Sequence, residues 1–473
     1  MSLDNFLLMR NEMSLLAVIL LILIGELFVD NKKTIAKFAL AIFVLHTLVG
    51  FFPIKTGELF GGSFRTNELV FFFKSVLNVG VIIVLLQSAD WVKNILAVEN
   101  KAAEFYILLF STLLGMYYMI SAGDFLMLFI GIELATIPTA ALIAYETGKL
   151  KSAEAGIKFI LSAAVATSVS LFGISMLYAA TGSIYFNEMV ANIAHSDLAI
   201  LGFIFFFAGI AFKISLVPFH FWTADTYEGA PISIASYLSV ISKASAVFVL
   251  LMLLFTVFKS LEEIWKPLIY GIAVATMFIG NLFALRQQNM KRFLAFSSIA
   301  QAGFILLGML ASSKMGITTV IYFSAIYIFS NLAAFGVVQS ISLKTGKENM
   351  NDYEGLYRTN PKLSLVMLLA LFSLAGIPPV AGFFGKFFLF TAAASKGYYL
   401  LVFIATVNVT ISLYYYLLVV RAMFLRKSAQ AIPFYDNSIL TKIGLVISVL
   451  GIVIIGLYSP IYEYVSEISN FIF

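Results

Sequence analysis

The chain has 473 residues, of which 61% are hydrophobic and only 12% charged, with a net charge of +5 and mean hydropathy +0.99. That charged fraction is about half the roughly 25% of an ordinary soluble domain, so a water-soluble fold is excluded. Cysteine is absent and the only histidines are His46, His195 and His220, with no pair at helical spacing, which leaves iron–sulfur, thiol-redox and histidine-ligated haem or metal centres without support in this chain.

Apolar runs of about 18 or more residues, each able to cross a hydrocarbon layer of roughly 30 Å as a helix, recur from near Met13 to near Tyr458. They are too long and too evenly apolar for barrel strands, so the expected class is an all-α integral membrane protein. The first run follows Asn11 and Glu12 rather than a basic stub, and no small-residue cleavage site closes it, so it reads as a retained span. Breaking the runs at charged and Gly/Pro connections gives about fourteen helices, centred near residues 21, 43, 78, 111, 133, 168, 208, 244, 275, 303, 329, 377, 411 and 449. An even number puts both ends on one side. Eighteen Lys and Arg residues then fall in the odd-numbered connections and seven in the others, which points both termini away from the cytoplasm.

Five lysines lie inside apolar runs: Lys74, Lys158, Lys213, Lys243 and Lys386. A charge at the centre of a spanning helix costs about 2.5–3.5 kcal/mol on insertion scales, so a chain that keeps one there has a use for it. Lys74, near the start of its run, is expected to snorkel to the interface. Glu133, midway along FLMLFIGIELATIPTAALIAY, is expected to be the only carboxylate that deep, since Glu26, Glu68 and Glu104 fall near run ends.

Two helices carry devices that break them. In the seventh, Pro218 follows Lys213 by five residues, and in the twelfth, SLAGIPPVAGFFGKFF sets Gly376, Pro378, Pro379, Gly382 and Gly385 just before Lys386. Proline removes a backbone donor and clashes with the preceding turn, so both helices should be interrupted at membrane depth, as in transporters built from internal repeats. Between them, Ser297, Ser298 and Gln301 in NMKRFLAFSSIAQAGF read first as interhelical hydrogen bonds, with a water-lined path as the second reading. His220 is expected to be a hydrogen-bonded residue near the first break rather than a ligand, and the forty-seven Phe and twenty-two Tyr to pack mostly toward lipid and the interfaces.

A buried lysine has its charged form disfavoured by desolvation and restored by a nearby carboxylate, so its proton affinity follows the position of that partner. Lys213, Lys243 and Lys386, biased by Glu133 at one end, would make a proton relay. The plainer alternative is a buried ion pair that only fixes helix register.

FKISLVPFHFWTADTYEGAP, YLSVISKASA, NMKRFLAFSSIAQAGF and LAGIPPVAGFFGK together resemble the antiporter-like membrane subunits of respiratory complex I, the proton-translocating NADH:quinone oxidoreductase, over most of the chain from about the fourth helix onward. The resemblance implies fourteen helices with two inverted five-helix repeats and broken helices 7 and 12. It divides the chain into 1–100 (helices 1–3), 101–258 (first repeat), 259–428 (second repeat) and 429–473 (helix 14 and tail). It further implies that Glu133 and Lys213 are a coupled ion pair with Lys158 near it, Lys243 the central relay residue and Lys386 the terminal proton carrier. Gln301 stands where the family often has His, and Phe296 where Tyr is common. The implied function is that of a non-redox subunit of the enzyme in a bacterial inner membrane, with both termini periplasmic and protons as substrate. No cofactor belongs to this chain. NADH, FMN, iron–sulfur clusters and quinone belong to partner subunits, other membrane subunits and the lipid bilayer surround it, and no nucleic acid is involved. The other readings are a subunit of a multisubunit cation/proton antiporter and a structural scaffold without its own transport.

Overall fold

The computed structural model describes residues 6–28, 32–52, 55–96, 100–193, 195–428 and 431–472, most of them helical. Helices α1 (Arg10–Phe28), α2 (Lys32–Gly50) and α3 (Glu68–Trp91) come first. A short antiparallel hairpin, β1 (Gly57–Leu59) and β2 (Phe64–Thr66), lies between α2 and α3 and has no counterpart in the apolar pattern. Then follow α4 (Ala102–Ser121), α5 (Phe125–Ile143), α6 (Leu150–Thr181), α7 (Asp197–Ile214), α8 (Phe221–Gly229) and α9 (Ile232–Phe255). The next group is α10 (Glu262–Ala284), α11 (Met290–Leu310), α12 (Lys314–Thr345), α13 (Pro361–Ala375), α14 (Ala381–Ala394) and α15 (Tyr399–Phe424), before α16 (Ile439–Leu457) and α17 (Pro460–Ile468). Among the described residues, twelve helices are long and apolar enough to cross a membrane, and Thr34–Gly50, Pro361–Ala375 and Ala381–Ala394 are shorter apolar ones. The protein is an all-α integral membrane protein.

One order of lengths occurs twice. Helices of 20, 19 and 32 residues precede the interruption between α7 and α8, and helices of 23, 21 and 32 residues precede that between α13 and α14. Polar side chains start several of these helices by accepting from free backbone N–H groups: Asn67 for α3, Asp124 for α5, Ser196 for α7, Asn289 for α11 and Ser313 for α12. Small residues let paired helices close on one another. A Cβ at Gly115 would meet the Ala135 nitrogen of α5 at 2.4 Å, and one at Gly280 the Ala300 nitrogen of α11 at 2.5 Å, so backbones touch at the same place in both groups.

The bundle has an inner and an outer layer. The apolar stretches of α9, α11 and α12 are 89%, 100% and 94% buried, against 28% for α6 and 33% for α15, so the first three form the inside of the bundle and the other two its outside. Many large aromatics pack inside rather than outward: Phe43 stacks on Phe110 at 4.6 Å and Phe73 on Phe248 at 4.5 Å. The expectation of a mostly lipid-facing aromatic load is corrected by this, because rings supply the bulk that fills spaces between helices.

Candidate functional site

The first break follows α7. Ser215 adopts a left-handed conformation with φ 66°, and the Val217 N–H donates to Thr276 Oγ1 at 3.1 Å instead of to the preceding turn. A carbonyl near the end of α7, that of Phe212, accepts from Trp222 Nε1 at 3.0 Å. Lys213, in the last turn of α7, donates to Thr136 Oγ1 of α5 at 2.6 Å. Thr136 lies three residues after Glu133, on the same face of the helix. No ion pair joins Glu133 to Lys213 directly, and the buried Oε1 of Glu133 has no hydrogen-bond partner. The expected coupled pair is therefore open here, with a threonine hydroxyl holding the ammonium. A cavity of about 430 Å³ between α5 and α6, lined by Glu133, Thr136, Ile160, Thr167 and Ser168, lies against the carboxylate.

Between Lys213 and Lys243 the polar atoms Ser215 Oγ, His220 Nδ1, Thr223 Oγ1, Thr226 Oγ1 and Ser233 Oγ are buried without protein partners, while Tyr227 OH lies toward Ser239 and Ser298. His220 faces the Pro218 backbone beside the break, in line with the expectation, while its Nδ1 has no side-chain partner. Buried polar groups nearly always find a partner, so five such atoms in one interrupted stretch leave hydrogen-bonding capacity that water could use.

Lys243, 2% exposed, follows a π-helical turn at Leu238–Ser242 that widens α9 just before it, a local distortion frequent at functional sites. Its ammonium donates to Ser298 Oγ at 2.9 Å and to the Ser298 carbonyl at 3.2 Å on α11. The neighbouring Ser297 shares a 2.5 Å hydrogen bond with Tyr416 OH, to which Gln301 Nε2 donates at 3.3 Å. Gln301 Nε2 also donates to the Leu374 carbonyl at 2.9 Å, and that same oxygen accepts from Lys386 Nζ at 2.7 Å. Two hydrogen-bonded segments, Lys243–Ser298 and Ser297–Tyr416–Gln301–Leu374–Lys386, thus meet at neighbouring residues of α11, while Ser298 Oγ itself donates to the Ala295 carbonyl.

The second break exposes the carbonyl end of α13, which ends at Ala375. Lys386 reaches back across the gap and caps it, donating to Leu374 and to the Ala375 carbonyl at 3.2 Å, with Phe304 4.8 Å from the ammonium. An ammonium suits this place because freed carbonyls carry the negative end of the helix dipole. Gly376 turns with φ +85°, and Gly382 leaves no room for a side chain, since a Cβ there would sit 1.7 Å from the Ser373 carbonyl oxygen.

Two expectations are corrected. Lys158 is not interior to the chain: its side chain is 45% exposed on α6 and pairs with Glu154 at 2.7 Å and Asp225 at 2.8 Å, in a surface cluster with Lys151, Glu228 and Arg292 rather than with Glu133 and Lys213. Lys74 does not reach the interface: it is 2% exposed and bound to Glu12 and to Ser121 Oγ, the latter at 2.6 Å. Glu12 is a second buried carboxylate, 1% exposed, but in the first turn of α1 rather than midway along a helix as Glu133 is. Thr136 and Tyr416 were missed altogether; single hydroxyls in long apolar runs carry no sequence signal that sets them apart. Among the described residues no group of three or more His, Asp or Glu converges in a way that could hold a metal ion.

Two interrupted membrane helices with lysines beside both interruptions, joined through an inner layer of hydroxyls and amides, are the build of an antiporter-like membrane subunit. The chain belongs to the NADH:quinone oxidoreductase/Mrp antiporter transmembrane family, whose model matches residues 122–412. It is similar to the NADH-quinone oxidoreductase subunit N of Azobacteroides pseudotrichonymphae, with 47% identity over 477 residues and 99% of each chain covered. The subunit N of Phocaeicola vulgatus is 48% identical over 462 residues, covering 97% of this chain and 98% of that one. Among solved structures, a chain of respiratory complex I from Thermus thermophilus is 26% identical with TM-score 0.77, covering 95% of this chain and 98% of that chain. A chain of the Mrp complex from Dietzia sp. is 19% identical with TM-score 0.84, covering 99% and 97%, a likeness of fold.

Proposed function

We propose that this chain is a non-redox membrane subunit, of the subunit N type, of a proton-translocating NADH:quinone oxidoreductase. It moves a proton through a buried Glu/Lys relay while electrons pass from NADH to quinone in partner subunits that carry the FMN and iron–sulfur clusters. The observation that carries the reading is the placement of Lys243 and Lys386 at the ends of two hydrogen-bonded segments, Lys243–Ser298 and Ser297–Tyr416–Gln301–Leu374 carbonyl–Lys386, that adjoin at Ser297 and Ser298 on α11. The relatives of subunit N name, similar over almost the whole chain, support it. Lysine at 386 supports the same assignment.

In this reading Glu133 sets the proton affinity of Lys213. With the carboxylate drawn close, Coulomb attraction holds the ammonium charged; with it withdrawn, desolvation favours loss of the proton toward the hydrated stretch at Ser215–Ser233. Lys243 accepts that charge, Ser298 and Tyr416 supply hydroxyls toward the second break, and Lys386 delivers the proton. Gln301 orients the chain without titrating. Lys158 belongs to the surface cluster that biases the first break from outside. Residues 101–258 and 259–428 act as inverted repeats, and the two broken helices, each taken as one crossing, complete fourteen. The protein sits in the bacterial inner membrane with both termini periplasmic.

The test is Lys213→Ala and Glu133→Ala in the intact complex reconstituted into liposomes. Both variants should assemble yet lose proton pumping and coupled oxidation. Unchanged proton stoichiometry in both overturns the reading. The Mrp-type fold likeness favours a second reading, a cation/proton antiporter subunit, which requires sodium or potassium exchange and no co-purifying dehydrogenase.

A further inference from the structure

Outside the relay, and outside the residues the family model matches, a second buried charge pair stands in the first helices. Glu12 in the first turn of α1 and Lys74, about two turns into α3, meet with Ser121, the last residue of α4. The hairpin closes over them: the fully buried Phe64 ring lies 5.4 Å from the Lys74 ammonium, and Met9, Leu59 and Phe64 form a small apolar plug. Beside the plug a cavity of about 260 Å³ is lined by Glu58, Arg65, Asn67, Val70 and Ala122, of which Val70 is one turn from Lys74 and Ala122 adjoins Ser121.

The pair is incompletely satisfied. Glu12 Oε2 and Asn11 Oδ1, acceptors on successive residues, are both buried without any donor. A purely structural pair gains little net stability even when every lone pair is used, and leaving a buried charged acceptor bare costs about 1–3 kcal/mol or more. The unused Oε2 of Glu12 is therefore the atom at which the pair can take up a proton. The surroundings continue as a hydrogen-bonded chain: Tyr117 OH donates to Asn78 Oδ1, Asn78 Nδ2 contacts His46 Nε2 at 3.4 Å, and His46 Nδ1 meets Ser14 Oγ at 2.8 Å, which donates to the Arg10 carbonyl at 2.6 Å. His46 Nε2 is also 3.2 Å from Tyr117 OH, and the Tyr117 ring lies 5.4 Å from the Lys74 ammonium. The titratable and charged groups facing the pair are Arg10 from α1, His46 from α2, Tyr117 and Tyr118 from α4, and the mutually paired Glu58 and Arg65 of the hairpin. The neighbouring α9 and α17 contribute Phe248 and Tyr464 against Phe73 and Phe72.

We propose that Glu12 and Lys74 form a second proton-binding site of this subunit, capped by the Gly57–Thr66 hairpin and separate from the Glu133–Lys386 relay. In it Glu12 exchanges a proton, and Lys74 holds the carboxyl in place and sets its affinity.

Two measurements on the native complex decide it. Dicyclohexylcarbodiimide adds to protonated carboxyls in apolar sites, so peptide mapping of the labelled wild-type complex should find Glu12 modified at low pH and progressively protected as pH rises. Absence of Glu12 modification at every pH, with other buried carboxyls of the complex labelled, overturns the proposal without any variant. In the second measurement Glu12→Gln with Lys74→Met replaces the pair by neutral side chains of similar length. Proton pumping per NADH oxidised should fall and its pH profile should shift, with the complex assembled. Wild-type pumping and pH profile in that double variant leave the pair a helix staple and overturn the proposal. Loss of pumping in Lys213→Ala tests the relay alone and is indifferent to either outcome at Glu12.

Discussion

The two broken helices solve one problem in different ways. At the second break the lysine comes after the gap and is tied to backbone: Lys386 holds the Leu374 and Ala375 carbonyls, with Gln301 sharing the first of them. At the first break the lysine comes before the gap and is tied to a side-chain hydroxyl, Thr136, with an unpartnered carboxylate oxygen one turn away and five orphaned polar atoms beyond. A backbone carbonyl of a packed helix cannot move away from its donor without unwinding the helix, whereas a threonine hydroxyl turns about one bond. The first break is thus the adjustable one and the second the fixed terminus. That difference suits a relay in which a remote event acts on Lys213 and the proton leaves from Lys386.

The largest effect should come from filling the second break. Gly382→Ala puts a Cβ 1.7 Å from the Ser373 carbonyl oxygen, against backbone that cannot give. Ordinary overpacking costs about 1–3 kcal/mol, and this contact is far closer than those cases. The variant subunit should be missing from assembled complex on native gels. Normal assembly would show that the gap between α13 and α14 is far more pliable than its packing implies.

Next comes Lys386→Met, which keeps the length and removes the charge. Leu374 keeps Gln301 as donor, so only the Ala375 carbonyl is left bare, a cost of about 1–3 kcal/mol that the bundle should tolerate. Assembly should persist while NADH-driven acidification in proteoliposomes is lost. Retained pumping would remove Lys386 from the terminal position and end the contrast between the breaks.

What the sequence made legible, and what it hid, follows a similar division. Helix existence, the two interruptions and Lys213, Lys243 and Lys386 could be read because proline, glycine and charge act locally within an apolar run. Lys74 and Glu12 could not be placed, because their burial depends on α4 and on a hairpin of three-residue strands that meet only in the fold. Lys158 misled for a related reason. On a membrane helix the outward face is as apolar as the inward one, and Lys158 shares α6 with the exposed Ile157, Leu161 and Val165. Apolarity around a lysine therefore does not tell a buried position from a lipid-facing one. The Ser297, Ser298 and Gln301 cluster was rightly expected to bond between helices, but its role as the bridge from Lys243 toward Lys386 needed Tyr416, a residue more than a hundred positions away.

The smallest effect, and the sharpest test of the comparison, is Thr136→Val. Valine nearly reproduces the shape of threonine but removes the acceptor of Lys213, a hydrogen bond to a charged donor worth about 1.5–3 kcal/mol. If the first break is adjustable, the ammonium should turn from position 136 to the nearby Glu133 carboxylate and recover most of that energy by closing the ion pair. A closed pair holds its proton more firmly, so the variant should assemble normally and pump more slowly per NADH than wild type, yet faster than Lys213→Ala. Reaction-induced infrared difference spectra should show the Glu133 carboxylate bands altered in the same variant. Pumping as poor as in Lys213→Ala would instead make the hydroxyl itself part of the proton's route, and the first break would then be as dependent on one fixed partner as the second.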